Sequence, residues 1–216
     1  MNDRCHYPLN TLCPNFVPWI SLDDLRFGAG QSSGEVVREL AIETEELWLQ
    51  NAAFCTWLGD LDIEVYSLRM FRSLPGAVYQ LHLDVDPNRR LEENPWLMPT
   101  KNLDYVYDGA VKLNFMVNSH DTTMTWYRLK LGCGPTRTID TSGNTSFGFS
   151  QKDCDEIYHT ACDTACLLNG GRIHTMNNTN NMGKRRLCYS MMIQNRQRTL
   201  TWDSAVELFT PWLIFD

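Results

Sequence analysis

Tyr79-Gln80-Leu81-His82-Leu83-Asp84 alternates apolar and polar residues. In an extended strand residues two apart share a face, so His82 and Asp84 project together while Leu81, Leu83 and Val85 project the other way. The alternation predicts a strand over Ala77 to Val85, entered through the Pro75-Gly76 turn from an earlier strand, Ile63 to Leu74. Downstream, Ala110 to Val117 and Thr122 to Leu131 form a strand pair across the polar turn Asn118-Ser119-His120-Asp121. Gly132 to Ser150, rich in Gly, Ser and Thr, is expected to be a loop. Ile157 to Leu168, Arg172 to Asn177 and Arg186 to Gln194 are expected as the last three strands, and Trp202 to Phe209 as a short closing helix. Upstream, residues 1–32 are irregular. Gly34 to Gln50 carries Val36, Val37, Leu40, Ala41, Leu47 and Trp48 at helical spacing, with Glu35, Glu39, Glu43 and Glu46 on the other face. Ala52 to Leu58 continues that helix or starts a second. Helices followed by a run of short strands predict a β-sandwich or barrel with helical packing on one side.

An imidazole and a carboxylate side by side make two corners of a metal site. One strand cannot wrap an ion, so the third corner must come from elsewhere, and His174 is the candidate. Two His and one carboxylate on one face of an ion is the arrangement of non-haem Fe(II) oxygenases, with positions left open for reactants. Alone, the His-x-Asp pair is a weak signal and fits a surface strand better. Arg186 changes the balance. It opens an apolar strand, facing inward with Cys188 and Ser190, and a buried guanidinium there requires an anion. A dicarboxylate would supply one as a bidentate pair. Arg185 falls on the opposite face, as a surface cation.

The chain is long enough for one domain with a sizeable core. At 43% hydrophobic and 11% aromatic it is not a disordered sequence. The formal charge of −7 argues against a broad phosphate-binding face, and so against a nucleic-acid partner. No run approaches the length of a membrane-spanning helix. Eight cysteines are spread along the chain without a C-x-x-C pair. Cys162 and Cys166 stand four apart, but no second pair sits at zinc-ribbon spacing. With no apolar leader at the start, reduced thiols in a cytoplasmic protein are expected. His6, His120 and His159 look ordinary, and Cys188 reads as a core thiol.

Taken together, the motifs resemble the Fe(II)/2-oxoglutarate-dependent dioxygenases, over roughly Leu68 to Ile193. The closest branch is the aspartyl/asparaginyl β-hydroxylases. Arg72-Ser73-Leu74-Pro75-Gly76-Ala77 precedes His82 and Asp84, and Asn169-Gly170, His174, Asn177 or Asn178, and Arg186 follow in order. The resemblance implies a mainly β fold with flanking helices, built on a double-stranded β-helix (jelly-roll, cupin-like) core. Residues 1–62 would then be a support packed on the barrel, and 63–216 the oxygenase core with an insertion at 86–108.

It further implies Fe(II) held by His82, Asp84 and His174, with 2-oxoglutarate paired to Arg186. Asn114 and Tyr79 are further candidates to touch the co-substrate. In the branch a basic residue and a His, two apart, reach the co-substrate; here the run is Lys112-Leu113-Asn114. The Pro-rich insertion is long for the branch and would lie at the rim of the pocket, with Arg89, Arg90, Trp96, Tyr105 and Tyr107 as candidate substrate contacts. The implied reaction uses O2 to hydroxylate a C–H bond of a peptide side chain, amino acid or small metabolite, releasing succinate and CO2. The competing classes are a non-catalytic jelly-roll binding module with a vestigial metal site, and a cupin-type metalloenzyme that does not use 2-oxoglutarate.

Overall fold

A computed structural model of the chain describes residues 4–20, 37–84, 109–117, 121–139, 145–178 and 186–215. The elements in order are β1 (His6–Pro8), β2 (Val37–Ile42), α1 (Thr44–Gln50), α2 (Ala52–Asp60), β3 (Ile63–Ser73), β4 (Leu81–His82), β5 (Val111–Met116), β6 (Thr122–Leu129), β7 (Thr136–Ile139), β8 (Thr145–Phe149), β9 (Cys154–Ala161), β10 (Cys166–Asn169), β11 (Ile173–Asn178), β12 (Arg186–Asn195) and α3 (Trp202–Phe209). The strands form two six-stranded antiparallel sheets, ordered β1-β10-β5-β12-β3-β2 and β7-β8-β4-β11-β6-β9. The architecture is the expected one: a mainly β, jelly-roll, cupin-like core with flanking helices.

Alternation along the first sheet decides what lies on each side. On β12, Leu187, Tyr189, Met191 and Ile193 join the large core cluster, together with Leu113 and Phe115 of β5 and Leu167 of β10. The helices meet that face with Leu47, Phe54, Leu58, Trp202, Ala205 and Phe209. The intervening residues, Arg186, Cys188 and Ser190 on β12, Lys112 and Asn114 on β5, and Cys166 and Leu168 on β10, take the opposite face, toward the second sheet. There Met124 and Trp126 of β6 and Met176 of β11 pack with Cys166 and Leu168. The second sheet turns Leu81, Tyr127, Leu129 and Ile173 away from that interior into a smaller cluster with Leu83 and Phe149. The two ends of the described chain are tied together. Leu9 bridges Leu213, Ile214 N–H donates to Pro8 O at 2.9 Å, and Arg4 Nη2 donates to Ile214 O across 210 residues.

Several local expectations are corrected. The helix expected over Gly34 to Gln50 is instead β2 followed by the short α1; β2 pairs with β3 from Val37↔Ser73 to Ile42↔Leu68. Ladder bonds along a long neighbouring strand outweigh the helical spacing of β-branched Val37 and Ile42, which suit a strand. The acidic run lies at the start of α1, with Glu45 and Glu46 in its first turn, where the helix dipole favours negative charge. Residues 52–60 form a separate helix, α2. The loop expected over Gly132 to Ser150 contains the paired strands β7 and β8; its threonines are strand formers. The strand expected over Ile157 to Leu168 is two strands, β9 and β10, in different sheets. The chain crosses the sandwich at Cys162–Ala165, where Asp163 Oδ1 accepts from Thr122 N–H at 3.0 Å and Cys162 N–H donates to Thr122 O at 2.8 Å. The strand expected over Ala77 to Val85 is regular only at Leu81–His82, with an isolated bridge at Val78↔Asn177. Within residues 1–32, expected to be irregular, His6–Pro8 pairs with β10.

Candidate metal centre

His82 and His174 are direct partners across the β4–β11 pair, and their ring centroids stand 4.4 Å apart. Asp84 follows β4 on the same face, and its Oδ2 lies 3.5 Å from His174 Nε2. One donor atom from each of the three lies within 4.8 Å of the others, so the group can hold a metal ion.

The hydrogen bonds of the two histidines orient the donors. His82 Nδ1 contacts Gln80 O at 2.8 Å, and His174 Nδ1 contacts Arg172 O at 2.8 Å. A carbonyl oxygen only accepts, so each Nδ1 carries the proton and each Nε2 presents a lone pair. Metal-bound histidines are oriented by the same device. His174 is buried, and burial first, then His82 and Lys112, hold its pKa down to about 3, so the ring is neutral. Trp126, its β6 partner, lies beside it at 6.3 Å between ring centroids and donates Nε1–H to Asn169 O at 2.8 Å.

Asp84 is held from behind by the Asn169-Gly170-Gly171 turn. Its N–H donates to Gly170 O at 2.8 Å, and Gly170 N–H donates to Ala110 O at 2.8 Å. A Cβ on Gly170 would stand 2.6 Å from Asp84 Oδ2, so only glycine leaves room for this carboxylate. Burial pushes the Asp84 carboxyl up. The Lys112 ammonium, with His174 and His82, reverses this and holds it well below the usual carboxylate range.

The pairing of Lys112 with Asp84 is what the sequence did not reveal. Its Nζ lies 2.6 Å from Asp84 Oδ2. It shares the inner face of β5 with Asn114, two residues on, where the resemblance puts a basic residue, but the apolar run around it gave no sign that its ammonium would pair with Asp84. Arg172 is a second such case. It is 6% exposed, and its Nη1 donates to the Cys5 thiol at 3.8 Å.

Arg186 is 4% exposed on the inner face of β12. Its Nη2 donates to the Met116 thioether at 3.3 Å, and its Nε is buried without a hydrogen-bond partner. A thioether is a weak acceptor, and no carboxylate lies within ion-pair distance of Arg186 among the described residues. The Asn114 Oδ1 and Tyr79 hydroxyl are likewise buried without hydrogen-bond partners. Burial pushes the Tyr79 hydroxyl up to about 12, while the nearby Arg186 cation and Ser73 act in the other direction. Six of the residues singled out in the sequence, Tyr79, His82, Asp84, Asn114, His174 and Arg186, thus line one interior. Arg89, Arg90, Trp96, Tyr105 and Tyr107, and the 86–108 insertion with them, lie outside the described residues. His159 is bonded to Thr125 Oγ1 through Nδ1 at 2.8 Å, away from this cluster. All eight cysteines are free thiols. No helix among the described residues is long and apolar enough to cross a membrane.

No family model matches the chain, and no curated protein matches it in sequence. Solved structures with a similar fold include a 2OG-Fe(II) oxygenase family oxidoreductase from Burkholderia pseudomallei, at 12% identity and TM-score 0.38, covering 78% of this chain and 68% of that one. HygX from Streptomyces hygroscopicus, solved with nickel and 2-oxoglutarate bound, matches at 13% identity and TM-score 0.39, covering 78% and 73%. A vicilin from Corylus avellana matches at 9% identity and TM-score 0.34, covering 78% and 32%. Likeness this distant carries no inference about activity, and a fold shared by such different proteins selects no function by itself.

Proposed function

We propose that the chain is an Fe(II)- and 2-oxoglutarate-dependent oxygenase of the aspartyl/asparaginyl β-hydroxylase-like type, hydroxylating a C–H bond of a peptide side chain, amino acid or small metabolite. The observation that carries this is the donor set: two imidazole nitrogens with their protons committed elsewhere, and one ionised carboxylate, all facing one point. Two imidazole nitrogens and a carboxylate converging on one point can ligate a cation, and one carboxylate with two imidazoles suits ferrous iron. His82, Asp84 and His174 would hold Fe(II). When bound, the iron supplies the oxidative chemistry that couples 2-oxoglutarate decarboxylation, with O2, to C–H oxidation.

The remaining residues have defined tasks in this reading. Arg186 would clamp the distal carboxylate of 2-oxoglutarate, exchanging its weak thioether contact for charge-assisted bonds. Asn114 and the Tyr79 hydroxyl would add polar contacts to the same ligand. Trp126 and the glycine turn keep His174 and Asp84 in place and exclude water behind them.

Lys112 favours a second reading. An ammonium 2.6 Å from Asp84 Oδ2 is itself a cation for the site, as in a jelly-roll binding module that has lost its metal. The two separate directly. Under anaerobic conditions Fe(II) and 2-oxoglutarate should bind with about one-to-one stoichiometry each and give a visible charge-transfer band; admitting O2 should then release succinate. His82→Ala and Asp84→Ala should abolish both without unfolding the protein. Failure of the wild-type protein to bind Fe(II) at all, with Lys112 keeping its place on Asp84, would establish the module reading. Full oxygenase activity in Arg186→Ala would instead favour a cupin-type enzyme that does not use 2-oxoglutarate.

A further inference from the structure

We propose that His6, Cys162 and Cys166 form a second metal site, built for a thiophilic closed-shell ion, Zn2+ or Cu+. It is independent of the oxygenase reading. The three residues are remote in sequence, and the fold gathers them. In the β1–β10 pair His6 opposes Leu168 and Pro8 opposes Cys166, so His6 and Cys166 are diagonal neighbours on the inner face. Cys162 arrives from the crossing between the sheets, fixed there by its N–H bond to Thr122 O. One donor atom from each residue lies within 4.8 Å of the others.

The spacing of the sulfurs fits an ion. Cys162 Sγ and Cys166 Sγ are 3.7 Å apart. Two thiolates each ~2.3 Å from a tetrahedral ion would stand about 3.8 Å apart, whereas a disulfide requires ~2.05 Å. Both thiols are fully buried and His6 is 3% exposed. His6 Nε2 is buried with no hydrogen-bond partner, in surroundings made of Met124, Trp126, Leu168 and Met176. A buried imidazole nitrogen without a hydrogen-bond partner in an apolar cluster is costly, and an ion held together with the two sulfurs would satisfy it. Two thiolates neutralise a divalent ion, and with Cu+ the residual negative charge lies within reach of Arg186, whose cation acts on both thiols. Sulfur donors separate this site by softness from the sulfur-free set at His82, Asp84 and His174. A bound ion would fasten β1 to β10 and to the sheet crossing.

Cobalt(II) is the probe. In reduced protein carrying His82→Ala and Asp84→Ala, one equivalent of Co2+ should produce thiolate-to-cobalt charge-transfer absorption. Zn2+, or Cu+ under anaerobic conditions, should displace it, and the displacing ion should raise the thermal midpoint. Cys162→Ser, Cys166→Ser and His6→Gln should each weaken Co2+ binding at least ~10-fold, while Cys133→Ser leaves it unchanged. Circular dichroism of each metal-free variant establishes that it is folded. The proposal is overturned if the reduced parent shows no sulfur band at stoichiometric cobalt, if the band survives Cys162→Ser in folded protein, or if the pair forms a disulfide in air but takes up no ion when reduced.

Discussion

Asp84 is the residue around which the candidate centre is balanced. Lys112 supplies its counter-charge in the structure, and a metal ion would supply it otherwise. Lys112→Met should leave the carboxylate charged and unpaired, destabilising the metal-free protein by roughly 3 kcal/mol. Mn2+, as a redox-stable stand-in for Fe(II), should then raise the thermal midpoint of the variant more than that of the wild type. Scanning calorimetry with and without the ion reads this, and equal shifts would mean that Asp84 is no ligand. Gly170→Ala pushes a methyl group onto Asp84 Oδ2, at 2.6 Å, and onto Ala110 O, at 3.2 Å. It should weaken Mn2+ binding by about 10- to 100-fold, measured by calorimetric titration, with His82 and His174 untouched. The histidines and Asp84 were legible because strand alternation and residue chemistry point the same way. Arg186 was legible because a buried guanidinium stands out in an apolar strand. The pairing of Lys112 with Asp84 was not, since its side chain crosses from one sheet to a residue beyond the end of β4, and nothing local in the sequence records that. The grouping of His6 with Cys162 and Cys166 was hidden for the same reason: motif spacing cannot register neighbours made by strand pairing.

At the scale of the element, the strands that were read correctly are those whose alternation continues long enough to be unambiguous: β3, β5, β6, β11 and β12. Where the sequence misled, tertiary pairing decided the outcome. β2 exists because β3 offers it a six-residue ladder, and β10 is separated from β9 because the chain must change sheets. Apolar periodicity ran straight through that crossing, which the bonds of Asp163 and Cys162 to Thr122 mark. The closing helix was expected at Trp202 to Phe209, and the structure adds its cap. Thr201 Oγ1 accepts from Ser204 N–H at 3.3 Å, and Ser204 Oγ accepts from Thr201 N–H at 2.9 Å. This box starts a helix of only eight residues that buries Trp202, Ala205 and Phe209 against the first sheet. Thr201→Ala should therefore lower stability by about 1 kcal/mol, seen as a reduced denaturation midpoint with an unchanged slope, and it should leave metal binding unaltered.

For the whole molecule, the protonation of the centre is coupled to stability. His174 has an ordinary pKa of 6.5, lowered to about 3 in the folded protein. The unfolded chain therefore binds more protons between those values, and stability rises with pH there. The contribution of His174 is complete above pH 6.5 and is lost as pH falls toward about 3. Asp84, also depressed, adds to the loss once pH drops below the ordinary carboxylate range. Urea denaturation of metal-free protein at descending pH should show this slope, and His174→Gln should flatten its upper part. The two-sheet architecture with helices on one side was expected from the order of elements, although the number of strands was underestimated.

The clasp between residues 4–10 and 211–214 sets a timetable for synthesis. A ribosome releases His6–Pro8 well before their pairing partner in β10, and Leu213 and Ile214 later still. Contacts of such long sequence separation form slowly, so the nascent chain must carry this strand unpaired until β10 emerges. Chaperone dependence during expression, relieved when the chain is allowed to refold as a finished polypeptide, is the behaviour this arrangement entails.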